Sequence, residues 1–389
     1  MKGKIKKMEE KVLKVLGENA KYDSSGFTRK IEVENYLPFI YPATGEKGRI
    51  CNLFKILLTN NCKSNCLYCV NRKNRDCPRY SLSPYRLAEI FYQFWKKRYV
   101  EGLFLSSAIE QDTNETQEKI IKTAEILRKR YEYKGYIHLK ILPGADPYLI
   151  RKASIVASRI SLNMEAPSTG YLSKISREKD FSKNLLKTLK YISKVNKENS
   201  LPAGITTQFV VGAAGEKDKE ILGFSYYLYK NHNLKRIYYS RFIPVINTPL
   251  ENLPACNPQR EVRLYQADIL IRRYGFTSAE IPYDEKGNLI LEKDPKLLWA
   301  EKNPSFFPVE INKASFEELI RVPGIGFKSA KKIIGIRKEN TINSPSQLKK
   351  LRIRLNIACQ FLLFNGKKRN LDEKVPELKE EQLLLWDEI

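Results

Sequence analysis

Ile56-Leu-Leu-Thr-Asn-Asn-Cys62-Lys-Ser-Asn-Cys66-Leu-Tyr-Cys69 is the stretch on which the reading of this chain turns. An apolar run ends in polar residues, and three cysteines follow at C-x3-C-x2-C, with a tyrosine just before the third. Three thiolates can hold three irons of a [4Fe–4S] cube and leave the fourth iron open to a second molecule. The same cysteines could instead hold zinc, with Cys51 or Cys77 as a fourth ligand. Zinc sites more often use paired C-x2-C knuckles or histidines, and the two histidines, His138 and His232, lie far off in sequence. The spacing favours a cluster on Cys62, Cys66 and Cys69.

Outward from this motif the text repeats one pattern. Short apolar runs at 52–59, 102–106, 136–141, 159–164, 205–211 and 236–242 alternate with amphipathic, Lys-rich segments near 83–98, 115–130, 147–158, 180–195 and 217–231. The first kind predicts strands and the second helices, which makes a βα repeat and a parallel sheet. Such a repeat curls into a barrel or winds into an open sheet, with reactive groups at the C-terminal strand ends. The cysteine motif follows the first predicted strand, where that rule puts chemistry. Residues 5–16 predict a leading helix, within an N-terminal extension over 1–45. The barrel is expected over 46–283 and a Pro-containing linker over 284–308. A small helical domain is expected over 309–365 and a charged tail over 366–389, in which Leu383–Trp386 is a candidate docking point.

With 389 residues and 42% hydrophobic content the chain has room for one large core and a smaller one. No apolar run is long enough to span a membrane, and no signal core follows the basic first residues, so a cytoplasmic protein is expected. A net charge of +25 creates a field that attracts polyanions, although a general bias toward lysine would produce the same number. The seven cysteines are odd in number and irregular outside the motif, which argues for metal or catalytic roles over a disulfide framework.

The run from Ile56 through Cys62, Cys66, Tyr68 and Cys69 to Val70-Asn-Arg72 resembles the radical S-adenosylmethionine superfamily. The resemblance implies an α/β fold, a partial (β/α)6 TIM-like barrel carrying a [4Fe–4S] cluster on Cys62, Cys66 and Cys69. It implies S-adenosylmethionine bound to the open iron and cleaved to a 5′-deoxyadenosyl radical, with electrons from a donor such as flavodoxin or ferredoxin. Residue by residue, it implies Tyr68 next to the adenine and Ser106-Ser107 in place of the usual Gly-Gly-Glu turn, so that backbone carbonyls would serve the methionyl amine. It implies ribose and amine contacts at Asn163 and Glu165, a cation for the methionyl carboxylate at Arg177 or Lys179, and an adenine motif from Gln208 to Gly212. Each of these polar strand-end residues could equally be a satisfied loop or cap residue. Cys256 and Tyr238 are candidate hydrogen donors to a substrate radical, with an inert loop cysteine and a packed tyrosine as the plainer readings.

Residues 311–334 resemble a helix-hairpin-helix. Ser315 and Glu318 form a capping box, and Val322-Pro323-Gly324-Ile325-Gly326 is the hairpin, with glycines for a tight turn. The second helix would begin near Phe327 with its N–H groups facing outward, suited to a phosphate. Candidate nucleic-acid contacts are Pro323, Gly324, Gly326, Lys328, Ser329, Lys331 and Lys332; a protein-binding or structural hairpin is the alternative. Ser344–Gln347 predicts another cap and Leu355–Phe364 a partner helix. Hairpin glycosylases place a catalytic Asp downstream, and 329–351 contains none.

The whole pattern resembles a DNA modification/repair radical SAM family associated with a uracil-DNA-glycosylase-like partner. The expectation is an enzyme that acts on nucleic acid, DNA rather than RNA, and takes one nucleotide into the barrel. The alternatives are the same radical chemistry on tRNA or a small molecule, and a non-catalytic DNA-binding protein with a structural metal.

Overall fold

The computed structural model describes residues 2–23, 37–44 and 50–369. The tail expected beyond 369, with Leu383–Trp386, lies outside the described residues. The chain divides into two compact units. One runs to Glu216 and includes Tyr227–Glu261; the other comprises Lys217–Tyr226 and the chain from Val262 onward.

In the first unit, seven strands form one curled half-barrel sheet in sequential order: β1 (Ile40–Thr44), β2 (Ile50–Leu57), β3 (Gly102–Ser106), β4 (Tyr136–Lys140), β5 (Arg159–Ser161), β6 (Ile205–Val211) and β7 (Arg236–Arg241). β2 to β7 are parallel, with Leu57 beside Ser106, Lys140 beside Ser161 and Gln208 beside Tyr238. Every residue of β3 and of β6 is buried. Burial on both sides is what a parallel sheet covered by helices demands, and it explains their unbroken apolar character.

The helices begin as the loops after the strands end. Ser83, Asp112 and Asp146 accept first-turn N–H groups and so start α2 (Pro84–Lys96), α3 (Thr113–Lys129) and α4 (Pro147–Val156). Each such cap is worth about 1 kcal/mol. α5 (Thr169–Ile175) is a short helix that the periodicity did not announce. The helix expected over 180–195 opens with a π-helical turn, Phe181–Leu186, before α6 (Lys187–Asn199).

The N-terminal residues are more than an extension. α1 (Lys2–Ala20) packs on β2, and β1 pairs antiparallel to β2, with Ile40 opposite Phe54. Phe39, Phe54, Phe91 and Phe94 join there in edge and tilted ring contacts. The chain continues through α7 (Asp218–His232), between β6 and β7, and α8 (Pro258–Arg273).

In the second unit, the segment expected as a linker is structured. Asp294 caps α9 (Pro295–Lys302), whose Trp299 is buried against Phe276, Phe306 and Phe307 at 5.1, 5.4 and 6.0 Å between ring centroids. β8 (Val309–Glu310) follows. The Ser315–Glu318 capping box then opens α10 (Phe316–Arg321), and the hairpin leads into α11 (Phe327–Glu339). Ser344 and Gln347 do form a capping box, on a 3-10 turn, Pro345–Leu348. The helix expected over 355–364 is cut to α12 (Leu355–Ala358) and a 3-10 turn; the chain then straightens into β9 (Leu362–Leu363), which pairs with β8. No helix among the described residues is long and apolar enough to cross a membrane.

Candidate functional site

The cysteine loop follows β2 and is fastened to its surroundings by side chains. Asn60 accepts from the Tyr80 N–H at 2.7 Å and donates to the Pro78 carbonyl at 2.8 Å. Arg79 donates to four loop carbonyls, those of Asn60, Asn71, Arg72 and Arg75, at 2.6–2.8 Å. A loop so pinned holds its thiols in place before anything binds. Cys66 Sγ lies 3.3 Å from Ser176 Oγ, and the Asn71 N–H donates to Cys69 Sγ at 3.4 Å.

Cys62, Cys66 and Cys69 face one cavity of about 170 Å3 at the C-terminal end of the strands. Burial pushes the Cys69 thiol well up, and the nearby Cys66 and Cys62 push it further. Three thiolates that share one cavity repel each other, and a positively charged metal group at their centre removes that penalty. Among the described residues, no three His, Cys, Asp or Glu are gathered as a single ion would need. Three thiols facing one cavity are the donor set that a [4Fe–4S] cluster uses.

Of the other expected residues, Tyr68, Ser106 and Ser107 line the same cavity, as do Asn163, Glu165, Lys179 and Gln208. Glu165 lies four residues beyond β5, the fourth parallel strand, in the left-handed region at φ 62°, with its backbone bridged to Phe209 of β6. Its carboxylate accepts from Lys179 at 2.9 Å, with both side chains largely buried. Burial lowers the Lys179 ammonium, but the fields of Cys66 and Glu165 and the hydrogen bond to Glu165 outweigh it and hold the group protonated well beyond the ordinary lysine range. Burial, then Glu165, pushes the Tyr68 hydroxyl well up, so it stays neutral.

Sequence reasoning missed the opposite wall. Asp23, beyond α1, accepts from Lys140 of β4 at 2.9 Å, from Ser106 at 2.5 Å and from Asn163 at 3.2 Å. Lys140 also donates to the side-chain amide oxygen of Asn163. Burial would raise the Asp23 carboxyl; the Lys140 ammonium, the hydrogen bonds from Ser106 and Lys140 and the field of Lys55 together hold it below the ordinary carboxylate value. Gln208 donates to the Tyr22 carbonyl at 2.9 Å. Asn19, Tyr22, Asp23 and Lys140 all line the cavity. Their only local signal is one acid in a polar stretch and one lysine closing an apolar strand.

Four expected residues stand elsewhere. Arg177 is exposed, so of the two candidate cations Lys179 alone lines the cavity. Tyr238 is buried two residues deeper along β7 than Ser240, which does line it. Cys256 is buried where it fills the space beside Gly212. A Cβ at Gly212, whose φ is +94°, would lie 2.8 Å from the Cβ of Cys256. Gly212 donates its N–H to Glu216, and its part is a turn. Neither Gly212 nor Cys256 lines the cavity.

Residues 56–224 match the radical SAM superfamily model. This stretch is a radical SAM domain. Such domains work with a [4Fe–4S] cluster and S-adenosylmethionine. Residues 305–353 match a helix-hairpin-helix motif. No curated protein matches the chain. Among solved structures it is similar to methylornithine synthase (PylB), at 16% identity and TM-score 0.47 over 56% of this chain and 60% of that one. It is also similar to the FeFe-hydrogenase maturase HydG from Carboxydothermus hydrogenoformans, at 16% and 0.45, over 55% of this chain and 50% of that one. A third is the radical S-adenosylmethionine methyltransferase TsrM from Kitasatospora setae with cobalamin and [4Fe–4S] cluster bound, at 13% and 0.41, over 81% of this chain and 65% of that one. The chain spans less than two thirds of each, and none of these likenesses bears on what it acts on.

In the hairpin motif, Gly324 has φ +83° and packs so closely that a Cβ would lie 2.8 Å from the Arg354 carbonyl oxygen. Gly326 is the N-cap of α11 and offers no side chain to its first turn, so the N–H groups there keep their capacity for an outside acceptor. Lys328, Lys331 and Lys332 are exposed. Pro323 and Ser329 are buried, and the Ser329 hydroxyl donates to the Arg352 carbonyl at 3.2 Å, so Ser329 serves packing.

Proposed function

We propose that this protein is a radical S-adenosylmethionine enzyme that acts on a nucleic acid, DNA before RNA. The observation that carries the chemistry is the convergence of Cys62, Cys66 and Cys69 on the cavity that also receives the Glu165–Lys179 pair. The three thiolates would hold the cluster. When bound, cluster and S-adenosylmethionine supply a carbon radical able to take a hydrogen atom. The chain's own part is to bind, orient and exclude water. Lys179, protonated throughout the working pH range, offers a fixed positive charge to a carboxylate. Glu165 and Asn163 offer acceptors to an ammonium or ribose, and Tyr68 a neutral aromatic face to an adenine.

The nucleic-acid reading is supported by the hairpin motif, by exposed Lys328, Lys331 and Lys332 beside its uncapped helix, and by the net charge of +25. Contacts of that kind grip phosphates and carry no sequence information. A base inside a duplex cannot reach a cavity lined by strand ends, so the target nucleotide would be flipped out or single-stranded. The hydrogen-transfer partner is not among Cys256 and Tyr238 in this reading, since neither reaches the cavity. An electron donor of the flavodoxin or ferredoxin kind, and a uracil-DNA-glycosylase-like partner, belong to the same proposal.

The test is anaerobic reconstitution followed by turnover with deuterated substrates. Deuterium from labelled DNA should appear in 5′-deoxyadenosine. Transfer from RNA only, or from neither polymer while S-adenosylmethionine is still cleaved, would replace DNA by RNA or by a small molecule. A protein that binds a cluster and never cleaves S-adenosylmethionine would end the enzyme reading.

A further inference from the structure

The second unit holds a cavity of its own, about 250 Å3, beside the hairpin. That is near the lower limit of small-ligand pockets, about 300 Å3, and suits one planar group with a substituent. One wall is aromatic and cationic together. Tyr274 and Phe327 meet edge to face at 5.0 Å; Arg273 lies 5.2 Å over the Phe327 ring and Lys296 lies 4.7 Å over that of Tyr274. Lys296 also donates to the Ile325 carbonyl at 2.6 Å, which ties the hairpin loop to α9. Ile269, Leu270 and Ile357 supply apolar lining.

The charge at this cavity is one-sided. Arg273, Lys293, Lys296, Lys328, Arg352 and Arg354 line it against Glu292 and Asp294. The Asp294 carboxylate is already engaged as the cap of α9, accepting from Lys296 N–H at 2.8 Å and Leu297 N–H at 3.2 Å. The uncapped first turn of α11 opens on the same space, because Gly326, Phe327 and Lys328 line it. Backbone donors, guanidinium groups and an aromatic wall are the elements that recognise a phosphate joined to a flat ring. An intact duplex presents the phosphate but not the ring.

Resting on the nucleic-acid reading above, we propose that this cavity receives one unstacked nucleotide of the bound strand. Its base lies against the Arg273–Phe327 wall and its 5′-phosphate at the start of α11. The hairpin unit then selects strand ends, gaps and overhangs over continuous duplex, and keeps a second nucleotide fixed apart from the one that reacts.

The experiment uses the full chain and fluorescence anisotropy at one salt concentration, because phosphate contacts alone vary steeply with salt. The probes are a blunt duplex and the same duplex with a four-nucleotide 5′ overhang, prepared as DNA and as RNA. The overhang should bind roughly tenfold more tightly, the order of one base stacked on an aromatic platform. Arg273→Ala, which removes the cation over Phe327, and Ile357→Trp, which fills the cavity, should each erase that preference. Blunt-duplex affinity should fall less than overhang affinity in both, and an unchanged urea midpoint shows that the variants are folded. Preference in either polymer, lost in both variants, supports the cavity. Equal wild-type binding of blunt and overhanging forms overturns it and leaves the nucleic-acid reading intact. A preference that survives both substitutions also overturns it. Failure of every probe to bind overturns both.

Discussion

Lys55 offers the sharpest physical test of the barrel interior. It lies in β2, is 1% exposed, and its ammonium has no hydrogen-bond partner among the described residues. Its neighbours are the rings of Tyr41 at 4.1 Å and Phe104 at 5.5 Å. Burial drives its pKa from 10.5 to about 7, with Asp23 opposing and Lys140 adding to the fall. At about 1.4 kcal/mol per pH unit, that fall costs the folded state up to about 5 kcal/mol while the lysine is charged. The cation–π contacts return about 1–2 kcal/mol, which leaves a net cost of about 3 kcal/mol. Lys55→Met keeps the length of the chain and removes the charge. Below pH 7 the variant should therefore unfold at higher urea concentration, with a gain of about 3 kcal/mol. From pH 7 upward the wild-type lysine is neutral when folded and still protonated when unfolded, so wild-type stability rises with pH and the gap narrows. At about 1.4 kcal/mol per pH unit it should close near pH 9 and turn in favour of the wild type as pH approaches the ordinary lysine pKa, about 10.4. A gap of constant size from pH 6 to pH 10, or a variant less stable at pH 6, would refute this account of Lys55.

Substituting Cys62, Cys66 or Cys69 by Ala should each abolish reconstituted iron and sulfide content, whereas Cys77→Ala should keep both, since Cys77 does not line the cavity; elemental analysis decides. Asp23→Asn should cost about 3 kcal/mol at pH 7, because it leaves Lys140 buried without its counter-charge. The folded Asp23 pKa is depressed, so its contribution is present above about pH 4 and lost as pH falls through the folded value; urea titrations at pH 7 and pH 3 should show the gap shrinking. Gly324→Ala forces a Cβ against the Arg354 carbonyl at a positive φ, and should lower stability by about 1–3 kcal/mol and weaken nucleic-acid binding while sparing cluster assembly.

The parts of this molecule that could be read from the chain are those encoded locally. β3 and β6 have the bounds that their apolar runs predict, because strands buried on both faces are written as continuous hydrophobic text. The Ser315 capping box and the hairpin glycines are equally short-range. β1 escaped notice because it is five residues long and contains Pro42, tolerable in a strand at the sheet's edge. The helix expected over 355–364 failed for a tertiary reason. Its Leu, Ile and Phe spacing reads as helical, but Leu362 and Leu363 find β8 and extend instead. At the candidate site, the thiols and Glu165 sit at strand ends and announce themselves by position. Asp23 and Lys140 do not, since 117 residues separate them and neither belongs to a motif. Arg79 was invisible for the same reason: its four partners are backbone carbonyls, which have no letter in a sequence.

The wall that Tyr22 and Asp23 contribute has a consequence for how the protein is born. These residues leave the ribosome well before their partners: Asp23 waits 117 residues for Lys140 and 140 for Asn163, and Tyr22 waits 186 for Gln208. At roughly 5–20 residues per second, the last of these contacts becomes available on the order of ten to forty seconds later. The cysteine loop is synthesised early in that interval, and its cavity remains open on the Asp23 side until the sixth strand arrives. A chain that has not yet reached Gln208 therefore leaves its thiols more open to solution than the finished one does.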